Sequence, residues 1–343
     1  MIHIRKLNLR QAREMWISLY NSNMFLTPYS SYEFAEFYKK GLRYSAVRRN
    51  AIISIYEFQK DNATFALVPL IKRGYEYYIY GDLCATGCLD FIYSDQITDS
   101  DFDHIFSFLS DLSKKEKAVI YLNKLKESSL LFQYLIRNNY ESQSTNKCVA
   151  IHFGDSYDNY YKLLSKHVRQ NIRTGFNRLN REGHEYYFDF VHDSIIPKVK
   201  QDQIMALYNI RMGEKIGGME KNHFISTTRS AVIRFVRNLR NPITLSSFQM
   251  RNNVLATFYI DNSLAAFLGG YIRNNIVIVP RLAINSEYSV YSVGSLLVSE
   301  YIRYLIDNTS VRILDLSRGN EPYKYALGGD EYELFSFVLK CWE

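Results

Sequence analysis

The sequence is short of the residues and patterns that mark several common protein classes. Its 343 residues include only four cysteines, at positions 84, 88, 148 and 341, in a spacing that fits neither a zinc site nor a secreted disulfide framework. We therefore expect free thiols in a reducing compartment. The seven histidines do not fall at the spacing of metal ligands, so no metal site is predicted.

Long apolar segments are also missing. No apolar run approaches the roughly 18–20 residues that cross a bilayer. The N-terminal stretch MIHIRKLNLRQAREMW contains no apolar segment of the signal-peptide type. The sequence therefore predicts a soluble cytoplasmic protein without a transmembrane segment, which leaves open a peripheral association with the inner membrane.

Two catalytic signatures are missing as well. The chain has no Gly-x-x-x-x-Gly-Lys-Ser/Thr loop, which excludes a P-loop NTPase, and no Gly-x-Ser-x-Gly elbow, which argues against a common hydrolase.

The formal net charge of +7 favours anionic partners such as phosphorylated small molecules. Because only one segment is strongly basic, DNA is not an expected partner.

The residues that are present describe a globular protein of two domains. Hydrophobic residues make up 47% of the chain and charged residues 22%, and the 29 tyrosines and 21 phenylalanines suit sheet-rich cores and polar ligand pockets. Each half follows the same order of helices, antiparallel meander, helix, strand and final strand. We predict a mixed α+β fold with domains at 1–150 and 151–343.

Hydrophobic periodicity and turn residues predict the individual elements. Helices are predicted at about 9–21, 101–114, 128–139, 156–181, 195–214, 221–239 and 293–307, with a further one from residue 31. Strands are predicted at 51–58, 64–73, 75–81, 118–125, 148–153, 243–250, 253–261, 263–272, 275–284, 311–315 and 334–340.

A polar loop near the C-terminus is the first candidate for chemistry. An apolar run at 311–314 predicts a buried strand, and a loop punctuated by Gly319 and Pro322 follows it. Functional groups often lie on loops positioned by a sheet, although charged loops are more often simply solvated. The polar residues of this loop are Asp315, Arg318, Glu321, Tyr323 and Lys324.

The most basic segment is SKHVRQNIRTGFNRLNREG, at 165–183, which has an apolar stripe at helical spacing. Arg169 and Arg173 lie one turn apart off this stripe, and Gly183 is placed to end the helix. The two arginines either bind a phosphate as a pair or belong to a solvated helix face.

A second helix start follows the predicted strand 275–284. Free backbone N–H groups and the positive end of the helix dipole suit a pyrophosphate, and Gly294 would allow a close approach. Ser292 could instead be an ordinary N-cap. The candidate cofactor-binding residues are Ser292, Val293, Gly294 and Ser295.

Four segments together resemble the GNAT acyltransferase superfamily. They are the basic helix, the meander ending LAAFLGGYIRNN, the segment YSVGSLLVSEYI and the loop ILDLSRGNEPYKYALGG. More narrowly, they resemble CelD-like acetyltransferases of bacterial polysaccharide synthesis and Fem-type peptidoglycan aminoacyltransferases. The similarity is clearest over about 160–330. It implies two tandem GNAT-like domains, each a mostly antiparallel sheet flanked by helices.

The resemblance implies an N-acyltransferase that uses acetyl-CoA, or another acyl-CoA, and no metal. The acceptor would be an amino sugar of a small-molecule or lipid-linked surface-polysaccharide precursor. Lys324 would stabilise the oxyanion, while Asp315 would act as a base or position Arg318 or Lys324. Gly294 would lie at the acyl-CoA pyrophosphate. The implied substrate-binding residues are Arg169, Arg173, Arg318, Glu321 and Tyr323.

One segment departs from the family pattern. The usual pyrophosphate loop reads Gln/Arg-x-x-Gly-x-Gly/Ala, whereas residues 289–294 read Ser-Val-Tyr-Ser-Val-Gly and lack the first anchor and the first glycine. This leaves two alternatives: transfer of an amino acid from aminoacyl-tRNA to a peptidoglycan precursor, and a non-catalytic protein that binds a glycan precursor. The inserted helical arm that is common in Fem-type proteins has no counterpart in the sequence.

Overall fold

The computed structural model describes residues 2–42, 51–82, 87–217, 248 and 250–342. The predicted helix 221–239, most of the predicted strand 243–250 and Cys84 lie outside the described residues. The chain divides into two compact units. The first consists of Met1–Lys147 with Glu333–Glu343, and the second consists of Cys148–Tyr332.

The first unit is an antiparallel sheet with one parallel pair. Its strands are β1 (Ile2–Leu7), β2 (Ile52–Lys60), β3 (Ala63–Arg73), β4 (Glu76–Ile79), β5 (Ile92–Tyr93) and β6 (Val119–Lys126). Its helices are α1 (Arg13–Ser22), α2 (Tyr32–Leu42), α3 (Asp99–Glu116) and α4 (Leu130–Arg137). The strand order is β1-β2-β3-β4-β6, with β5 also paired to β3, and only β4 and β6 run parallel.

Local sequence signals explain why α3 forms where it does. Thr98 and Asp101 form a reciprocal capping box at its start, and Lys117 ends it in the left-handed conformation. The apolar positions predicted to share one helix face are buried, which confirms this prediction. They are Phe102, Ile105, Phe106, Leu109 and Leu112.

The second unit repeats this arrangement with a longer meander. Its strands are β7 (Ser142–His152, which belongs to this unit from Cys148 onward), β8 (Tyr186–His192), β9 (Asn253–Ile260), β10 (Ser263–Arg273), β11 (Ile276–Ile284) and β12 (Ile313–Arg318). Its helices are α5 (Tyr157–Leu163), α6 (Lys166–Glu182), α7 (Lys198–Gly217), α8 (Val293–Asn308) and α9 (Pro322–Ala326). The strand order is β7-β12-β11-β10-β9-β8, antiparallel except for β11 and β12.

Helices α6 and α8 belong to the apolar core of the second unit. Ser165 caps the start of α6 by accepting from the N–H of Val168, and Gly183 ends the helix at φ 75°, as its sequence predicts. In α8 the side chains of Leu296, Tyr301 and Leu305 are fully buried. The mixed α+β fold predicted from the sequence is confirmed.

The structure also corrects several predicted boundaries. Strands β1, β5 and β8 and helix α9 were not predicted from the sequence, and one helix was predicted at 156–181 where two helices meet at Ser165. The last strand, β13 (Gly329–Leu339), begins five residues earlier than predicted. From Leu334 onward it pairs with β6. Residues from Glu333 onward therefore belong to the first unit, which differs from the predicted domain range 151–343.

One backbone detail recurs in both units and extends the predicted repeat of elements. The parallel register covers three residues in each, Glu76–Tyr78 against β6 and Ile276–Ile278 against β12. The later strand of each parallel pair, β6 or β12, then has an irregular pairing with its other neighbour and contains a left-handed residue. These residues are Lys124 at φ 65° in β6 and Ser317 at φ 57° in β12. The tandem arrangement thus includes the same break at the same place.

Candidate functional site

A cleft opens in the second unit where β11 and β12 stop pairing. Their parallel register ends at Ile278 and Asp315, and beyond it the two strands line a pocket of about 150 Å³. The pocket is lined by Tyr208, Arg211, Val279, Pro280, Arg281, Leu282, Leu316, Arg318, Glu321, Tyr323 and Lys324. Four of the five polar residues of the predicted C-terminal loop, among them Arg318 and Lys324, therefore meet in one pocket.

An ion pair lies at the corresponding left-handed residue of the first unit, Lys124. There the Lys124 ammonium lies 2.8 Å from an Asp82 carboxylate oxygen, and the two side chains are 11% and 7% exposed. Lys124 also donates to the carbonyl oxygen of Asp82, while Asn123 donates to its carboxylate. An internal ion pair thus occupies this part of the first unit, so the second unit is the better candidate for a ligand site.

Asp315 shapes the turn at the end of β12. Its buried carboxylate accepts the backbone N–H of Ser317 at 2.7 Å and the hydroxyl of Tyr332. Ser317 adopts φ 57°, which an L-residue takes only at a cost of about 1–2 kcal/mol. Within the described residues, Asp315 forms no ion pair with Arg318 or Lys324, the two residues it was expected to position. Its visible role is to fix the turn.

The turn directs three carbonyl oxygens toward the Lys324 ammonium. The distances are 3.2 Å to Ser317, 2.8 Å to Arg318 and 3.0 Å to Gly319. The Glu321 carboxylate lies 3.1 Å away, and the Lys324 side chain is only 3% exposed. Because an ammonium has three N–H donors, the three carbonyls use all of them.

This geometry differs from the role that the family resemblance implies for Lys324. To donate to an oxyanion, the ammonium would have to give up one of its carbonyl partners. Its surroundings are those of a residue that stabilises the turn 317–319 from inside. Pro322 at the start of α9 suits this arrangement, since its fixed φ favours the helix that carries Lys324.

Two other polar side chains remain available in the cleft. Within the described residues, the guanidinium of Arg318 and the hydroxyl of Tyr323 form no hydrogen bond or ion pair. Burial raises the pKa of Tyr323 to about 12, with the Glu321 carboxylate adding to the shift and the positive charge of Arg211 opposing it. Tyr323 is therefore a neutral hydrogen-bond donor at physiological pH.

The start of α8 has the backbone shape expected of an anion-binding turn. Ser292 is the N-cap residue of α8 and lies at φ 55° and ψ 39°, but its side chain forms no capping hydrogen bond. Within the described part of the chain, the N–H groups of Val293 and Gly294 have no hydrogen-bond partner. A Cβ on Gly294 would lie 3.2 Å from Ile284, which is a tight contact.

Helix α6 packs directly against the loop that leads to α8. Gly175 leaves no room for a Cβ because the carbonyl oxygen of Tyr291 and the Leu296 side chain lie against it. Three residues later, Arg178 donates to the carbonyl oxygen of Val290 at 2.7 Å. The basic helix thus positions the loop before α8 through its backbone.

A chain of polar side chains fixes the same loop. His184 Nδ1 lies 2.6 Å from the Asp261 carboxylate, and its Nε2 lies 2.9 Å from the Tyr291 hydroxyl. Tyr291 donates to Glu182 at 2.7 Å, and this bond lowers the pKa of Glu182. These contacts connect the end of α6, the β9–β10 turn and the loop before α8.

The other predicted arginine pair does not line the pocket. Arg169 is half-buried and Arg173 is exposed on α6, and in the described residues neither side chain has a hydrogen bond or ion pair. Their predicted phosphate-binding role therefore stays a prediction.

The sequence analysis missed Arg211 and Arg281. Arg281 could have been noticed, because it is a charged residue inside the apolar run IVIVPRLAI. Arg211 lies in α7 and carries no comparable local signal.

Two further searches of the described residues gave negative results. No group of histidine, cysteine, aspartate and glutamate side chains there could bind a metal ion. No helix among those described has the length and apolar character needed to cross a membrane.

Comparison with known families assigns the fold. Residues 166–325 match the family model described as an acetyltransferase (GNAT) domain. The second unit therefore contains a domain of the GNAT superfamily of acyltransferases. The matched range contains α8, the splayed strands β11 and β12, and the cleft between them. A comparison with curated proteins found no significant match.

Solved structures with a similar fold cover nearly the whole of this chain. FemX has a TM-score of 0.64 at 10% identity, over 98% of both chains. A tandem GNAT protein from the clavulanic acid biosynthesis pathway has a TM-score of 0.52 at 9% identity, over 100% of this chain and 99% of the other. L-PGS from Bacillus licheniformis has a TM-score of 0.54 at 10% identity, over 96% and 91%. At such identities the likeness concerns the fold, and it places this chain with tandem GNAT and Fem-type structures.

Proposed function

We propose that this GNAT protein transfers an acyl group, most simply acetyl from acetyl-CoA, to the amine of a sugar in a nucleotide- or lipid-linked surface-polysaccharide precursor. The observation that carries the proposal is the arrangement around β11 in the second unit. One end of this strand leads into the helix start at Gly294, and its middle lines the cleft with Arg318 and Tyr323. A cytoplasmic location is part of the same proposal.

The donor would bind at the start of α8. The unpaired N–H groups of Val293 and Gly294 can donate to a pyrophosphate, and the helix dipole favours its negative charge. Ser292 stands where the family pattern has its first glycine, yet it adopts the left-handed conformation that glycine takes easily. The backbone shape of the loop is therefore compatible with the donor despite the altered sequence.

The acceptor amine would attack the thioester carbonyl in its neutral form. A C–N bond forms, the C–S bond breaks, the CoA thiolate leaves, and the surplus amine proton passes to solvent. We assign the oxyanion donor to the hydroxyl of Tyr323, which stays protonated because burial raises its pKa to about 12. Lys324 and Asp315 would position the turn rather than meet the substrate.

Product analysis tests this proposal. Purified protein is incubated with acetyl-CoA and amino sugars, and the N-acetylated product and free thiol are measured together. Tyr323→Phe should lower turnover by roughly 10²-fold, the size of one lost oxyanion donor. Tyr325→Phe on the same helix serves as the control, because its hydroxyl bonds the exposed Glu331 instead of lining the cleft. Equal turnover in both variants would contradict the role of Tyr323.

A second candidate is transfer from aminoacyl-tRNA to a peptidoglycan precursor. It is favoured by the missing Gln/Arg anchor, whose place is taken by Ser289. Transfer from tRNA should weaken steeply with salt, because phosphate contacts release counterions. Acetyl-CoA-dependent transfer that changes little between low and moderate salt would argue against this candidate.

A further inference from the structure

The cleft contains more positive than negative charge. Among the described residues that line it, Arg211 enters from α7, Arg281 from β11 and Arg318 from β12, and Glu321 is the one carboxylate. Glu321 lies 3.1 Å from the Lys324 ammonium, so these two charges compensate each other. Beyond this pair, the guanidinium groups of Arg211 and Arg318, from two separate elements, also face the pocket.

Two of the three arginines have no partner among the residues that the structure describes. Neither Arg211 nor Arg318 forms a side-chain hydrogen bond or ion pair with any residue that the structure describes. The charge of Arg211 reaches into the cleft, since it opposes the rise in the pKa of Tyr323. Like charges in one pocket repel each other, so the arrangement is most favourable when an anion lies among them.

The remaining walls make this attraction stronger than it would be on an open surface. Four apolar residues line the same pocket and limit the water around the guanidinium groups: Val279, Pro280, Leu282 and Leu316. The volume of about 150 Å³ is enough for a compact anionic head group. Guanidinium groups bind carboxylate and phosphate oxygens through two parallel hydrogen bonds.

We infer that the acceptor carries a phosphate or carboxylate close to its reacting amine, and that Arg211 and Arg318 bind this anion in the cleft. The inference rests on the proposed function, because it treats the cleft as the acceptor site. It moves recognition of the acceptor's charge from Arg169 and Arg173, which lie outside the pocket, to residues beside Tyr323.

A binding experiment without any acyl donor tests the inference. Calorimetric titration compares glucosamine 6-phosphate with glucosamine, and serine with serinamide, so that each probe with an anionic group has a counterpart that keeps the amine and lacks the anionic group. We expect at least one anionic probe to bind tenfold or more tightly than its counterpart. The phosphate and carboxylate pairs show which of the two groups the cleft prefers.

Substitutions distinguish anion binding in the cleft from anion binding by basic residues elsewhere on the surface. In Arg211→Gln/Arg318→Gln the preference for the anionic probe should fall at least tenfold, while Arg173→Gln on α6 should retain it. Arg318→Lys, which retains the charge but not the paired hydrogen bonds, should lose part of the preference and covers the case in which the double variant does not fold.

Three results would overturn the inference: equal binding of the probes with and without the anionic group, a preference that survives the double variant, or a preference lost in Arg173→Gln. The donor is not used in these titrations. A clear anion preference in a protein that fails to bind acetyl-CoA would therefore contradict the proposed donor and leave the anion site standing.

Discussion

The ammonium of Lys324 lies 2.8 Å from the carbonyl oxygen of Arg318, and the carbonyl oxygens of Ser317 and Gly319 complete its surroundings. A side chain that a family comparison assigns to catalysis is thus bound to the backbone of its own loop. The difference matters for experiments, because a variant of such a residue would lose activity by loss of structure as well as by loss of chemistry.

Lys324→Met should therefore destabilise the protein. It leaves three carbonyl oxygens and the Glu321 carboxylate without their cation, and we expect a loss of about 2–4 kcal/mol in the free energy of unfolding. Chemical denaturation measures this, with Lys340→Met near the C-terminus as the control. An unchanged free energy of unfolding together with lost turnover would show that Lys324 acts on the substrate instead.

Substitutions at Ser292 test the backbone of the donor loop. Because Ser292 lies at φ 55°, Ser292→Gly should be neutral or stabilising by up to about 1 kcal/mol and should preserve acetyl-CoA affinity. Ser295→Gly, three residues into the same helix, should destabilise by roughly 0.5 kcal/mol because glycine disfavours a helix interior. Thermal unfolding compares the two. A destabilising Ser292→Gly would contradict the left-handed conformation.

Tyr291→Phe tests the polar chain that fixes this loop. It removes the hydrogen bond to Glu182 and the contact with His184, and we expect a loss of about 1–2 kcal/mol in stability. The affinity for acetyl-CoA should fall as well, since the loop before α8 is less fixed. Tyr288→Phe in the same loop is the control, because its hydroxyl has no partner among the described residues. Equal affinities of the two variants for acetyl-CoA would show that these polar contacts do not contribute to donor binding.

Asp90 in the first unit predicts a pH dependence of stability. Burial raises the pKa of its carboxyl from 3.8 to about 7, although Phe91 N–H and the Tyr93 hydroxyl donate to it. The folded state therefore binds the proton more tightly than the unfolded state. The contribution of Asp90 to stability is full below about pH 4 and is lost as the pH rises toward 7.

Asp90→Asn should remove this dependence. The amide stays neutral, so we expect the variant to gain stability relative to the wild type between pH 5 and pH 8, by a few kcal/mol at most. Urea denaturation at the two pH values measures the difference, and Asp95→Asn at an exposed position is the control. The contradicting result is a stability difference between Asp90→Asn and the wild type that stays the same at both pH values. It would mean that Asp90 is not protonated in the folded protein near neutral pH.

The elements that the sequence predicts well are those with strong periodicity. The meander β9–β11 and helix α8 were predicted to within two residues at each end, because their apolar patterns are long and their turns contain clear signals. Strand β8 was missed, although its aromatic residues alternate with others along the strand. It pairs with β9, which is more than 60 residues farther along the chain.

The site is predictable only in part for a similar reason. Local sequence placed Arg318, Tyr323 and Lys324 in one loop, and they do meet in one pocket. The direction of the Lys324 ammonium depends on the irregular pairing of β12 with β7 and on the turn that Asp315 fixes, neither of which a local pattern contains. The position of Arg211 in the pocket depends on how α7 packs in the second unit.

The central claim, that the second unit binds an acyl-CoA at the start of α8, is tested most directly by calorimetric titration with acetyl-CoA and with free CoA. We predict saturable binding in the micromolar range that Gly294→Val weakens at least tenfold, because a side chain there crowds Ile284 and the pyrophosphate position. Gly154→Val is the matched control, since a Cβ on Gly154 meets no atom within 4 Å. No binding of either ligand, or equal weakening by both variants, would contradict the claim.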